Sequence, residues 1–192
     1  MSAVLNCNIT FIGGGNMAQA LIGGLLARGL PATRITVSDP VEKIRLLLAE
    51  KDVHTTDDNL AAIRDADIVL LAVKPQYLAN ILKALKGQLE GKLVISIVAG
   101  AEISTIAHVL ETERVVRVMP NTPALVQTGA HGLFAKEAVT LQDRELASQV
   151  MASTGLTIWV NSEAQIDAVT AVSGSGPAYF FYMMESMIRA GK

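Results

Sequence analysis

The stretch that decides the fold is Ile9-Thr10-Phe11-Ile12-Gly13-Gly14-Gly15-Asn16-Met17-Ala18. Four apolar or β-branched residues predict a strand, and the residues from Met17 onward have the spacing of an amphipathic helix. Between them lies a match to G-x-G-x-x-G/A at Gly13, Gly15 and Ala18. In such a turn the first glycine permits the tight bend, the second admits a pyrophosphate, and the third small residue lets the helix pack closely on the strand.

The context of this motif favours dinucleotide binding over a loop that merely turns. A strand–turn–helix near the amino terminus is the arrangement that the fingerprint requires. Free N–H groups at the helix start, together with the positive end of the helix dipole, attract phosphates.

Similar strands and helices alternate along the first two thirds of the chain. The further strands are predicted at residues 34–37, 68–73, 93–97 and 115–118. Their near-continuous apolarity is typical of parallel strands covered on both faces. Helical stripes lie between them, for example Leu78, Ile81, Leu82 and Leu85 after Pro75. This order predicts an α/β, Rossmann-type, doubly wound and mostly parallel sheet.

A second pattern follows the sheet strands. Residues 131–135 and 157–160 are predicted as strands, and residues 142–153 as a helix. From Glu163 the chain is helical in spacing, interrupted at residues 173–177, and then rich in Phe, Tyr and Met. An apolar helix without partner helices cannot bury its own stripe. We therefore expect a dinucleotide-binding domain over residues 1–162 and, over 163–192, the first part of an all-α dimerisation domain in which the chain stops.

Composition excludes several function classes. The 192 residues are 51% hydrophobic and 18% charged, with a formal net charge of -2. This excludes a disordered chain and provides no basic surface for nucleic acid. Cys7 is the single cysteine, and the three histidines lack ligand spacing, so we expect neither a disulfide nor a metal site. The absence of a basic leader and of a run of ~20 apolar residues predicts a cytoplasmic protein without membrane contact.

The adenosine end of the cofactor is open to two interpretations. Asp39 follows the second predicted strand, where a carboxylate binds the ribose 2′-hydroxyl and repels a 2′-phosphate. Lys43 and Arg45 follow closely and could supply countercharge. Alternatively, Asp39-Pro40 only caps the next helix. NADH and NADPH therefore remain equally possible.

Further motifs lie where strands of the sheet end. They are Leu71-Ala72-Val73-Lys74-Pro75, Ser96-Ile97-Val98-Ala99-Gly100, Met119-Pro120-Asn121-Thr122-Pro123-Ala124-Leu125 and Val172-Ser173-Gly174-Ser175-Gly176-Pro177-Ala178-Tyr179. Together with the glycine-rich turn, this ordered set resembles the pyrroline-5-carboxylate reductase family over essentially the whole chain.

The resemblance implies an oxidoreductase of proline biosynthesis that transfers a hydride from NADPH or NADH to the C=N bond of 1-pyrroline-5-carboxylate, giving L-proline. It implies a homodimer or higher homo-oligomer built on the helical domain. The implied cofactor-binding residues are Ile12, Gly13, Gly14, Gly15, Asn16, Met17, Ala18, Asp39, Asn59, Ala72, Val73, Lys74, Pro75, Val98, Ala99, Gly100 and Asn121. The implied substrate-binding residues are Ser173, Gly174, Ser175 and Gly176.

No catalytic side chain is assigned, because the hydride comes from the cofactor and a protonated imine is already a strong electrophile. Backbone N–H groups at residues 173–176 would bind the substrate carboxylate at a helix start, or the Gly-Pro pair is only a helix kink. The family's Ser-Pro-Gly-Gly-Thr-like loop is not found within these residues, which puts catalysis by this fragment alone in doubt.

Two other functions fit parts of the sequence. A β-hydroxyacid dehydrogenase of similar build would need a general base near the nicotinamide, and Lys74 is the candidate. A nucleotide-sensing module would bind NAD(P)H and turn over no imine.

Overall fold

An eight-stranded sheet forms the centre of the computed structural model, which describes residues 5–192. The strands are β1 (Ile9–Ile12), β2 (Ile35–Ser38), β3 (His54–Thr56), β4 (Ile68–Leu71), β5 (Leu93–Ser96), β6 (Val115–Met119), β7 (Gly129–Ala135) and β8 (Gly155–Trp159). Their spatial order is β3-β2-β1-β4-β5-β6-β7-β8. Strands β1–β6 are parallel, β7 runs antiparallel to β6, and β8 runs parallel to β7. The predicted doubly wound, mostly parallel sheet is confirmed.

Helices cover both faces of this sheet. They are α1 (Asn16–Ala27), α2 (Glu42–Ala49), α3 (Asn59–Ile63), α4 (Pro75–Ala84), α5 (Ile103–Leu110), α6 (Leu141–Ala152), α7 (Ala164–Val169) and α8 (Gly176–Ala190). One apolar core lies between the sheet and α1, α2 and α6, and a second lies between the sheet and α3, α4 and α5. Successive strand residues point to opposite cores, as Val94 and Ile95 do.

The sequence patterns missed β3 and α3 and placed some boundaries wrongly. β3 has only three residues, none of them buried, so it has no apolar run by which to recognise it. The strand predicted over residues 68–73 ends at Leu71, because Ala72 and Val73 already form the connection into α4. That connection contributes to the site described below.

The helical segment after β8 begins against the sheet and then leaves it. In α7, Ile166 is buried and contacts are made with β6 and β7. The interruption predicted at residues 173–177 is only partly correct: a π-helical turn occupies Thr170–Gly174, and Gly176 and Pro177 already belong to α8. No residue of α8 is buried, and its aromatic side chains are largely exposed, as Phe180 (63%) and Tyr182 (72%) illustrate. Within residues 5–192, nothing covers this apolar helix.

Two kinds of feature are absent from the described residues. No helix there is both long enough and apolar enough to cross a bilayer. Nor do three His, Cys, Asp or Glu side chains of that part of the chain converge on a point where a metal ion could bind.

Candidate functional site

The parallel strands β1–β6 end at a common edge of the sheet, and most of the predicted binding residues lie in the loops that leave it. This is the edge at which ligands bind in open α/β sheets. The glycine-rich turn follows β1, Asp39 follows β2, Ala72–Pro75 follow β4, Val98–Gly100 follow β5, and Asn121 follows β6. Asn59 and Ser173 reach this edge through hydrogen bonds to residues at the strand ends, as described below. The structure therefore brings together loops that are far apart in sequence.

The three consecutive glycines have different surroundings. Gly13 has φ +99, and a Cβ built on it would lie 2.5 Å from the carbonyl oxygen of Ala72. A Cβ on Gly14 would lie 2.7 Å from Cγ2 of Ile44. In contrast, a Cβ on Gly15 would meet nothing within 4 Å. Gly13 and Gly14 are thus required by the packing of the protein itself, whereas Gly15 borders open space.

The amino end of α1 is open toward that space. Gly15 precedes the helix in an extended conformation, no side chain caps the helix, and its first turn contains no acidic residue. Among the described residues, the N–H groups of Gly15 and Asn16 donate no hydrogen bond. Unpaired N–H groups at the positive end of a twelve-residue helix are what a pyrophosphate needs. The turn therefore fits a dinucleotide.

Asp39 binds the protein's own backbone. Its Oδ2 atom accepts a hydrogen bond from the Gly14 N–H at 2.8 Å, and its Oδ1 atom accepts one from the Val41 N–H at 2.8 Å. The Asp39 carbonyl oxygen accepts a further bond from Nη1 of Arg45. With 7% of the residue exposed, the carboxylate joins the glycine-rich turn to the chain entering α2. Asp39 therefore has a structural role, but not the predicted one of a helix cap, because Val41 is the N-cap residue of α2. Contact of Asp39 with the ribose stays a prediction.

This arrangement makes a prediction for cofactor choice. Replacing Asp39 with Asn removes the charge that holds the Gly14 N–H, so the turn loses part of its support whichever dinucleotide binds. We expect the affinities for NADH and NADPH to fall together, about tenfold each, because a hydrogen bond to a charged group contributes ~1.5 kcal/mol. Fluorescence titrations with both cofactors measure the two values. A shift of more than tenfold in favour of NADPH would instead place Asp39 against the ribose.

The remaining predicted cofactor residues line the same edge. Asn59, the first residue of α3, accepts a hydrogen bond from the Ser38 hydroxyl at 2.7 Å. Lys74 and Pro75 are exposed at the start of α4, and the Lys74 side chain has no hydrogen-bonding or ion-pair partner within residues 5–192. After β5, Val98 is buried, whereas Ala99 and Gly100 are exposed.

Asn121 connects the predicted cofactor side of the site to the predicted substrate side. Its Oδ1 atom accepts a hydrogen bond from the Ala130 N–H at 2.9 Å, and its Nδ2 group donates to the Ser173 hydroxyl at 3.0 Å. Beside this contact, a Cβ on Gly174 would lie 2.9 Å from Cε of Met119. The π-helical turn is therefore held close to the carboxyl end of β6.

The helix start predicted for substrate binding differs from the expectation. Because the π-helical turn continues into α8, the Ser175 N–H donates to the Thr170 carbonyl oxygen at 2.9 Å and is not free to bind an anion. Gly176 and Pro177 form the start of α8, and the alternative of a helix kink at this pair stays a prediction. Contact between residues 173–176 and substrate stays a prediction.

Sequence reasoning missed an ionic cluster beside the site. Arg117 of β6 donates to Glu163 and to Asp167, each at 3.1 Å, and Glu163 also accepts from the Ile103 N–H at 2.8 Å. The signal that could have revealed it is an arginine inside the apolar strand Val115-Val116-Arg117-Val118. A buried guanidinium requires partners.

Comparison with known families and proteins agrees with this architecture. Residues 8–100 match the family model described as NADP oxidoreductase coenzyme F420-dependent, and residues 163–192 match the pyrroline-5-carboxylate reductase dimerisation model. The structure of a pyrroline-5-carboxylate reductase from Coxiella burnetii is similar with a TM-score of 0.90 and 44% identity, over 97% of this chain and 71% of that one. The Plasmodium falciparum pyrroline carboxylate reductase with NADP bound gives 0.87 and 31%, over 98% and 70%.

Two curated relatives establish the family. The pyrroline-5-carboxylate reductase of Haemophilus influenzae is 48% identical over 184 residues, which are 95% of this chain and 68% of the relative. The enzyme of the same name from Pseudomonas aeruginosa is 48% identical over 187 residues, 96% of this chain and 68% of the relative. With this identity over more than two thirds of each relative, the chain belongs to the pyrroline-5-carboxylate reductase family.

Proposed function

We propose that this protein reduces 1-pyrroline-5-carboxylate to L-proline, using NADPH or NADH. A hydride adds to the imine carbon of the protonated C=N bond, and the nitrogen becomes the secondary amine of proline. The observation that carries the proposal is the open amino end of α1 beside Gly15, in a chain whose relatives carry the name of this reaction. The bound reduced nicotinamide supplies the hydride.

The residues present would hold the dinucleotide in a definite way. The N–H groups of Gly15 and Asn16 and the dipole of α1 would bind the pyrophosphate. Asp39 stabilises the conformation of the glycine-rich turn by accepting a hydrogen bond from the Gly14 N–H. The NADP bound to the Plasmodium relative supports NADPH as one cofactor of this family. Lys43 is exposed and precedes Arg45 by two residues in the chain. The positive charges of these two residues would favour a 2′-phosphate.

The reaction places few chemical demands on the protein side chains. A protonated imine needs no further proton before hydride addition, so the main task is to align two reacting carbons and exclude water. Asn121 and Ser173 are uncharged polar groups joined across the site, and they are suited to orienting a ligand. Lys74 is exposed and would supply positive charge toward a carboxylate.

We also propose that the active unit is a homodimer, and that residues 1–162 and 163–192 belong to different domains. The match of residues 163–192 to a dimerisation model and the exposed apolar side chains of α8 support this assembly. Sedimentation of the native protein at micromolar concentration tests it, and an active monomer would contradict it. A cytoplasmic location belongs to the same proposal.

The direct test is a steady-state assay of the native protein with 1-pyrroline-5-carboxylate, comparing NADPH with NADH. We expect consumption of one reduced cofactor per proline formed. Hydroxy acids with NADP⁺ or NAD⁺ serve as the control substrates. Turnover of a hydroxy acid without imine reduction would favour a β-hydroxyacid dehydrogenase, and cofactor binding without any turnover would favour a nucleotide-sensing module.

A second prediction concerns Ser173. Its replacement with Ala removes the hydroxyl that accepts from Asn121, on the side of the site assigned to the substrate. We expect the KM for 1-pyrroline-5-carboxylate to rise about fivefold, the equivalent of ~1 kcal/mol for one hydrogen bond, with NADPH affinity unchanged. Ser104→Ala on the exposed side of α5 is the matched control. An unchanged KM in the Ser173 variant would show that this residue does not contribute to substrate binding.

A further inference from the structure

The contact between Glu163 and two partners links separate parts of the fold. One carboxylate oxygen, Oε1, accepts from the Ile103 N–H at 2.8 Å and from Nη1 of Arg117 at 3.1 Å. Ile103 is the first residue of α5, and Arg117 lies in β6. Glu163 itself immediately precedes α7. A single oxygen atom therefore joins the start of α5, the sheet and the start of the last helical segment.

Two of the segments joined by Glu163 lead into the candidate site. The loop that ends at Ile103 begins at the carboxyl end of β5 and includes the exposed residues Ala99 and Gly100. The helical segment that starts at Glu163 continues through the π-helical turn to Ser173, which contacts Asn121. The position of this loop relative to Ser173 thus depends on the reach of the Glu163 side chain.

Burial makes this connection rigid. The Arg117 side chain is 5% exposed and that of Glu163 is 23% exposed, whereas Asp167 is 74% exposed. Charges held in a low-dielectric environment with additional hydrogen bonds keep a fixed geometry, and an unpaired buried charge is costly. Asp167 accepts from Arg117 on the solvent side and makes no hydrogen bond to α5 among the described residues.

We propose that Glu163 is a positioning residue: it holds the loop between β5 and α5 at the distance from Ser173 that aligns cofactor and substrate. The inference rests on the proposed function. Glu163 does not touch the reacting atoms; it acts through the Ile103 N–H. Its length and its acceptor oxygen therefore matter more than its charge.

Two conservative variants separate length from charge. Glu163→Asp keeps the charge near Arg117 but shortens the side chain by one methylene, so it loses reach to the Ile103 N–H. Glu163→Gln keeps the length and the acceptor oxygen but loses the charge. Asp167→Asn is the matched control on the exposed side of Arg117. The measurements are kcat, KM for imine, NADPH affinity, and hydrogen exchange of the Ile103 amide in the native protein.

We expect Glu163→Asp to lower kcat at least about fivefold, with KM and NADPH affinity within about twofold of wild type. Exchange of the Ile103 amide should accelerate at least about tenfold as its acceptor is lost. Glu163→Gln should keep kcat within about threefold and keep the amide protected. Asp167→Asn should match wild type in both measurements.

Other results would overturn the inference. One is a Glu163→Gln variant whose kcat is lower than that of Glu163→Asp. Another is a kcat equal to wild type in both variants. A third is an equal loss of kcat in both variants that is accounted for by their loss of thermal stability. Failure of both variants to fold would make Glu163 a folding determinant and not a positioning residue. If wild type reduces no imine, the proposed function fails; Ile103 exchange and the emission of bound NADPH in the Asp variant then still test the link between Glu163 and the loop.

Discussion

Replacing Gly15 with alanine is expected to weaken NADPH binding at least about tenfold while changing the free energy of unfolding by less than about 1 kcal/mol. The added Cβ meets no protein atom within 4 Å, and φ at this position is -67, so the folded chain accepts it. The methyl group would occupy the space in which a pyrophosphate approaches the N–H groups of α1. Titration of NADPH fluorescence and chemical denaturation measure the two effects.

Two other glycines provide matched controls. Gly13→Ala is expected to lower stability by ~3 kcal/mol or more, because its Cβ would lie 2.5 Å from the Ala72 carbonyl oxygen at a φ of +99. Gly23→Ala, in α1 and with nothing within 4 Å of the added Cβ, should leave NADPH affinity unchanged. If Gly15→Ala bound NADPH as tightly as wild type, the cofactor would not lie against α1.

Acid should destabilise the protein through His131 in β7. This residue is 1% exposed, its Nε2 atom lies 3.0 Å from the Thr154 hydroxyl, and its Nδ1 atom has no partner among the described residues. Burial lowers the pKa of its imidazole to about 4. As pH falls below the ordinary histidine pKa of ~6.5, the unfolded chain takes up a proton that the folded chain does not.

The free energy of unfolding should therefore fall by ~3 kcal/mol between pH 7 and pH 4, and His131 should contribute nothing to the pH dependence above pH 7. Denaturation at a constant protein concentration measures this curve. His131→Gln should remove this part of the slope whatever its effect on stability at pH 7. His54→Gln, on an exposed histidine, is the matched control. Equal slopes for wild type and the His131 variant would contradict the prediction.

The buried carboxylate of Asp143 titrates at lower pH than an ordinary histidine. Burial raises the pKa of Asp143, but hydrogen bonding with Arg114 and with Thr140 outweighs it and holds this pKa below its ordinary value. The stability from this group is thus lost progressively as pH falls toward the ordinary aspartate pKa of ~3.9 and then below it. Because Asp143 titrates equally in both proteins, the difference between wild type and the His131 variant isolates the His131 effect.

The loops of the candidate site could be predicted from the sequence because their signals are local. The glycine motif, the apolar strands and Pro75 at a helix start each occupy a few adjacent residues, and parallel strands bring their carboxyl ends to one edge. β3 was not predictable in this way, since three residues without burial carry no periodic signal. The π-helical turn Thr170–Gly174 was predicted only as an interruption, because residue types do not distinguish a π-helical turn from a kink.

The sequence by itself determined the doubly wound sheet, the glycine-rich turn and the family, since hydrophobic period and short motifs depend on neighbouring residues. Tertiary structure alone decided which polar groups meet: Asp39 with Gly14, Asn121 with Ser173, and Glu163 with Ile103. These partners lie 25, 52 and 60 residues apart in the chain. The physical reason is that a side chain's hydrogen-bond partner depends on how strands and helices pack, which residue spacing does not encode.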